Sequence, residues 1–130
     1  MPEPQEKPLR WVGPSKKELT EFPEDVRRVM GYALYLAQIG GKHPDAKPLK
    51  GHKGAGVLEV VEDFDTDTYR TVYTVKLGSA VYVLHAFQKK STKGIETPKH
   101  TLDLIDERLR QARRLHQEEF GSKQEKGRKR

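Results

Sequence analysis

Three apolar-rich runs joined by two short polar gaps constrain this chain most. Residues 57–64, 69–77 and 80–88 are rich in β-branched and aromatic side chains. The gaps, Asp65-Thr66-Asp67-Thr68 and Gly78-Ser79, have hairpin length and turn-forming residues. Connections this short join antiparallel neighbours, so the runs are expected to form an antiparallel meander. A sheet of this kind needs an apolar cover on one face. Val26, Val29, Met30, Ala33, Leu34 and Ala37 fall at helical spacing and supply one. The other face is then expected to be free to work.

The remaining segments complete an α+β layout: an N-terminal strand, two helices, the three-stranded meander and a C-terminal helix. Leu9-Arg10-Trp11-Val12 reads as a short strand stopped by Gly13-Pro14. Ser15-Lys16-Lys17-Glu18 has the form of a capping box and opens a short helix to about Phe22. Pro23 suits the first position of the next helix, with Glu24 and Asp25 at its positive end and Gly40-Gly41 closing it. Residues 42–56 read as a loop. Thr97-Pro98 predicts the start of the last helix, and Leu102, Ile105, Leu109, Ala112 and His116 mark one stripe along it. The expected organisation is a loose arm over 1–8, a single domain over 9–120 and a disordered basic tail over 121–130.

Charge points to the partner. The chain of 130 residues carries a formal charge of +6, unevenly spread. One loop holds Lys42, Lys47, Lys50 and Lys53 with His43 and His52. The loop after the last strand holds Lys89, Lys90, Lys93 and Lys99, and Arg70 lies on the middle strand. Acids gather elsewhere, at Glu59, Glu62, Asp63, Asp65 and Asp67 around the first hairpin. Convergence of the two loops on Arg70 would make a cationic site for a polyanion.

Several chemistries drop out. The absence of Cys excludes disulfides, thiolate zinc sites and Cys nucleophiles. No run approaches the roughly 18 apolar residues of a membrane span. Residues 1–8 lack the apolar stretch of a secretory signal, so a cytoplasmic location is expected. The five His form no H-x-x-x-H pair, and no metal or other cofactor is expected. Gly51, Gly54 and Gly56 lack a P-loop ending, the hairpin acids lack the glycine of a calcium loop, and no Ser stands in an elbow-like context. Cleavage of RNA through its own 2′-hydroxyl remains compatible with Lys, Arg and His. The substrate brings the nucleophile, while the protein positions it, moves a proton and stabilises charge on phosphorus.

Residues 83–93, Val-Leu-His-Ala-Phe-Gln-Lys-Lys-Ser-Thr-Lys, resemble the "LHAFQKK" strand end of the phage-derived, HigB-type branch of the RelE/HigB toxin superfamily. Other pieces agree in order: Leu9 to Gly13, Phe22 to Arg28, Lys47-Pro48-Leu49-Lys50, Gly54 to Glu59, and Tyr69-Arg70-Thr71-Val72-Tyr73. The resemblance spans about 9–115. It implies a RelE-like fold and a type II toxin: an endoribonuclease, or mRNA interferase, inhibiting translation on ribosome-bound message. The implied partners are mRNA and a helix-turn-helix antitoxin. Carried over, Arg70 matches the strand Arg that stabilises the scissile phosphate. Lys50, with Lys47 or Lys53, matches the basic loop that holds RNA and can supply the base, with His52 a lesser candidate. Lys89, Lys90 and Lys93 match the basic strand end that contacts phosphate. One departure stands out: Val61 lies where relatives often carry a second Arg, and Val cannot bind phosphate. The alternative is therefore a catalytically weakened toxin homologue that binds RNA or its antitoxin. A third role, docking of a protein partner on the last helix, would use the stripe at Leu102, Ile105, Leu109 and Ala112. His85 is expected to share a strand face with Val81, Val83 and Phe87 as a satisfied, partly buried side chain. His100 is expected at the surface.

Overall fold

A computed structural model of the chain describes residues 6–52, 56–90 and 97–121. Along the chain run β1 (Leu9–Trp11), α1 (Ser15–Thr20), α2 (Glu24–Gln38), β2 (Ala46–Pro48), β3 (Val57–Phe64), β4 (Asp67–Thr74), β5 (Val81–Lys90) and α3 (Lys99–His116), followed by a π-helical turn (Gln117–Gly121).

The meander forms as β3, β4 and β5. Asp65 and Thr66 take positive φ angles of 53° and 70°, which closes the first hairpin in two residues and lets β4 begin at Asp67. A strand at each edge makes five, in the order β1-β5-β4-β3-β2. β1 lies parallel to β5, and the other neighbours are antiparallel. β2 corrects the sequence reading of 42–56 as loop throughout. Ala46-Lys47-Pro48 has no alternation to announce a strand, and Pro48 is tolerated because β2 is an edge.

The sheet is covered on both faces. On one face, α2 buries Val26, Met30, Ala33, Leu34 and Ala37 against Val60, Tyr73, Val81 and Val83. Tyr73 is fully enclosed there, and burial pushes its hydroxyl up to about 12. On the other face, Ile105, Leu109 and Ala112 of α3 pack with Val57, Val72, Tyr82 and Leu84. The expectation of one wholly free face is thus corrected: α3 occupies the end of it where these residues lie. The α3 stripe is core rather than a docking surface. Gly40 (φ 88°) lets the chain leave α2, and the Gly41 N–H reaches back to the Leu36 carbonyl at 2.7 Å.

The capping box does not form. The residue before α1 is Pro14, no side chain caps the helix, and Ser15 already lies inside it. Both expected capping side chains serve β5 instead. β1 ends at Trp11, opposite Val83, so β5 continues with one edge uncovered. The Ser15 hydroxyl donates to the Val83 carbonyl at 3.1 Å as a second donor beside the Val12 N–H at 3.0 Å, and Glu18 accepts from the Ala86 N–H at 3.1 Å. Leaving the buried Ala86 N–H unmet would cost about 1–3 kcal/mol, against about 1 kcal/mol for a typical cap. Pro23 and Pro98 likewise sit just before their helices, and the Thr97 side chain makes no cap bond. Lys7, within the expected arm, is tied down: its N–H donates to the Gln38 carbonyl at 2.9 Å.

Candidate functional site

Strand alternation gathers the candidate residues. The register pairs Lys47 with Glu59, Glu59 with Val72, Val61 with Arg70, Arg70 with Phe87, Thr68 with Lys89 and Val72 with His85. Directly paired residues share a face. Lys47, Glu59, Val61, Arg70, His85, Phe87 and Lys89 therefore lie on the α3 face of the sheet, most of them beyond the end where α3 packs. β2, β3, β4 and β5 each contribute.

Arg70 occupies the middle of this surface, yet only 8% of it is exposed. Its Nη1 donates to Glu59 Oε1 at 3.0 Å, and Glu59 is 4% exposed. The guanidinium thus sits on the expected face with its charge already met by an internal carboxylate. Such a pair owes its persistence to mutual compensation, since either charge alone would be costly to bury. Val61, directly across from Arg70, adds an apolar neighbour.

The other candidates divide. Lys47 and Lys50 are exposed and Lys89 is half-buried. Lys90 ends β5. Lys53 and Lys93 lie outside the described residues. His52 is held to α3: its Nε2 lies 2.6 Å from Asp106 Oδ1, and its side chain is nearly enclosed. That contact, with Gly51 close to Leu102, fastens the segment after β2 to α3. His100 is exposed on the first turn of α3, as expected. The hairpin acids are spent locally: Asp63 accepts from the Thr68 hydroxyl at 3.0 Å and Asp67 from Gln88 at 2.6 Å. Among the described residues no group of three or more His, Asp and Glu could hold a metal ion, and no helix is long and apolar enough to cross a membrane.

A second cluster was not legible in the sequence. A β-bulge between Val72 and Tyr73 shifts the β4–β5 register. His85 and Phe87 stay on the Arg70 face by regular alternation, and the bulge sets Val81 and Val83 on the other, which corrects the expected shared parity of His85 with those two valines. There His85 Nδ1 lies 2.9 Å from Glu18 Oε1, and its ring stacks on Phe87 at 4.7 Å. Arg108 donates to both Glu18 oxygens at 3.0 and 3.1 Å and to the Leu84 carbonyl at 2.9 Å. The cluster joins α1, β5 and α3.

Burial lowers the His85 pKa and outweighs the opposing pull of Glu18. For Glu18, burial raises the pKa, but the bonds from Arg108, His85 and Ala86 together bring it below the usual carboxylate value. Both shifts act in one direction. The unfolded chain binds more protons than the folded one, so stability is full above the ordinary imidazole pKa and falls on acidification. Unfolding in urea should therefore show stability dropping as pH falls from about 7 toward 5, the range in which an ordinary imidazole charges. His85→Asn should flatten that part of the profile.

Comparison with known proteins gives a family match and structural matches. The model of the family described as "Phage derived protein Gp49-like (DUF891)" matches residues 17–110. Among solved structures, the free-state structure of a double arginine-to-alanine mutant of the E. coli toxin RelE matches with a TM-score of 0.52 and 16% identity. That match covers 82% of this chain and 97% of the other. No curated protein matches.

Proposed function

Since the chain belongs to the Gp49-like phage-derived family, a RelE/HigB-like toxin family, and has the RelE fold, we propose that it is the toxin of a type II toxin–antitoxin system. It acts in the cytoplasm as an endoribonuclease on ribosome-bound mRNA. A helix-turn-helix antitoxin neutralises it. The observation that carries this reading is the register that sets Lys47, Arg70 and Lys89 on one sheet face. Lys47, Lys50 and Lys89, with Lys90, Lys53 and Lys93, hold the phosphates flanking the cleaved bond. Arg70 meets the charge that builds on phosphorus as the 2′-oxygen attacks. A phosphate reaching Arg70 must share it with Glu59, so the attraction is greatest when phosphate charge is greatest, in the transition state.

A second reading has its own support. Val61 opposite Arg70, and the Glu59–Arg70 pair, suit a weakened homologue that binds RNA or its antitoxin without efficient cleavage.

Purified protein incubated with ribosome-bound message separates the two. The toxin reading expects cleavage that leaves 2′,3′-cyclic phosphate ends, the mark of attack by the RNA's own 2′-hydroxyl. Intact message with retained RNA binding would favour the weakened homologue. In either case the lysines should set the salt response. Replacing Lys47 or Lys89 by Ala should weaken RNA binding uniformly across sequences and reduce the salt slope by about 1 each, as measured by fluorescence anisotropy against salt.

A further inference from the structure

We propose that His85, positioned by Glu18, is the general base that takes the proton from the attacking 2′-hydroxyl; this rests on the nuclease reading above. The register places it. Pairing runs regularly from Arg70–Phe87 through Thr71–Ala86 to Val72–His85, so His85 lies on the Arg70 face, just before the bulge. Because Arg70 pairs with Phe87 and Val72 with His85, the imidazole is a diagonal neighbour of Arg70 on the adjacent strand. Diagonal positions lie about 7–8 Å apart, close enough for both side chains to act on one phosphodiester.

The ring is also fixed. Glu18 Oε1 lies 2.9 Å from Nδ1, and Phe87 stacks against the ring with an interplanar angle of 22°. Glu18 is itself immobilised by the Ala86 N–H and by both terminal nitrogens of Arg108. A carboxylate accepting the Nδ1–H selects the tautomer whose basic lone pair is on Nε2. Arg108 Nη1 also lies 3.1 Å from Nδ1, and with the Ala86 N–H three donors converge on Glu18 Oε1. His52, the base candidate read from the sequence, has its Nε2 engaged by Asp106 instead.

The step balances. The 2′-oxygen forms a bond to phosphorus as its proton passes to His85 Nε2. The bond from phosphorus to the 5′-oxygen breaks, and that oxygen takes a proton from water. The products are a 2′,3′-cyclic phosphate and a 5′-hydroxyl, and His85 returns its proton to solvent. Among the described residues, the charged groups in contact with His85 are Glu18 from α1 and Arg108 from α3; Arg70 on β4 is its diagonal neighbour, and Glu59 on β3 and Lys89 on its own strand share the sheet face.

The test is single-turnover cleavage of a labelled message on purified ribosomes, with wild type, His85→Asn and Glu18→Gln. Asn places an N–H donor where Nδ1 stood, so the bond to Glu18 and the fold are kept while the base is lost. His85→Asn is expected to slow cleavage by about 10²–10⁴-fold with RNA affinity unchanged, and to abolish the acidic limb of the pH–rate profile. Glu18→Gln, which acts through His85, is expected to keep the limb and lower the plateau. A wild-type rate for His85→Asn, or a slow rate with the acidic limb intact, would overturn the assignment and leave the nuclease reading standing. Absence of cleavage by folded wild type would remove both.

Discussion

Arg70→Ala is expected to destabilise the protein by about 3–5 kcal/mol, the usual cost of leaving one member of a buried ion pair without the other. Glu59 is 4% exposed on β3, flanked by β4 and the edge strand β2, where water cannot readily replace the lost guanidinium. The variant will therefore lose function for two reasons at once, and its inactivity alone proves little about phosphate binding. Removing both charges separates the effects. Glu59→Leu with Arg70→Met keeps the volume and removes the burial penalty, and such replacements are often neutral or stabilising. Urea unfolding of the single and double variants checks this: a deep loss for Arg70→Ala, recovered in the pair. Wild-type stability in Arg70→Ala would show that the Glu59 carboxylate finds another partner.

The second large effect is expected at Arg108. Its guanidinium makes three bonds of 2.9 to 3.1 Å, to both Glu18 oxygens and the Leu84 carbonyl, and the residue is 8% exposed. Arg108→Met keeps most of the side-chain length but leaves Glu18 with only His85 and the Ala86 N–H. Charge-assisted bonds are worth about 1.5–3 kcal/mol each and are not additive, so a loss of about 3 kcal/mol is expected. Because Arg108 ties α3 to α1 and β5, the loss should appear as one cooperative transition at lower urea. A change below about 0.5 kcal/mol, the level of ordinary surface substitutions, would contradict the role given to this cluster.

The meander was legible from runs rich in β-branched and aromatic residues set between turn-forming gaps, and the α2 core and α3 stripe from period, as with Val26, Met30, Ala33 and Leu34 at helical spacing. What escaped depends on pairing across the chain. β2 is three residues with no pattern of its own and exists because β3 offers an edge. The Ser15 and Glu18 side chains fit a local cap, but β5 competes for both and wins, Glu18 by meeting the Ala86 N–H and Ser15 by adding a donor to the Val83 carbonyl. The bulge in the β4–β5 ladder has no sequence marker, so the change of face between His85 and Val83 could not be read by counting residues. At the site, the sequence shows Arg70 and the lysines but not that Glu59, eleven residues before Arg70, answers its charge. Spacing across a hairpin carries that information only once the turn length is known.

The central claim is that the sheet face around Arg70 cleaves message. Induced expression in a bacterial host, with growth and mRNA integrity followed together, tests it most directly. Wild type would be compared with the Glu59→Leu, Arg70→Met pair, which is expected to stay folded without the guanidinium. Growth arrest and fragmented message with wild type, and neither with the soluble pair variant, is the predicted result. Normal growth and intact message with abundant soluble wild-type protein would contradict the claim.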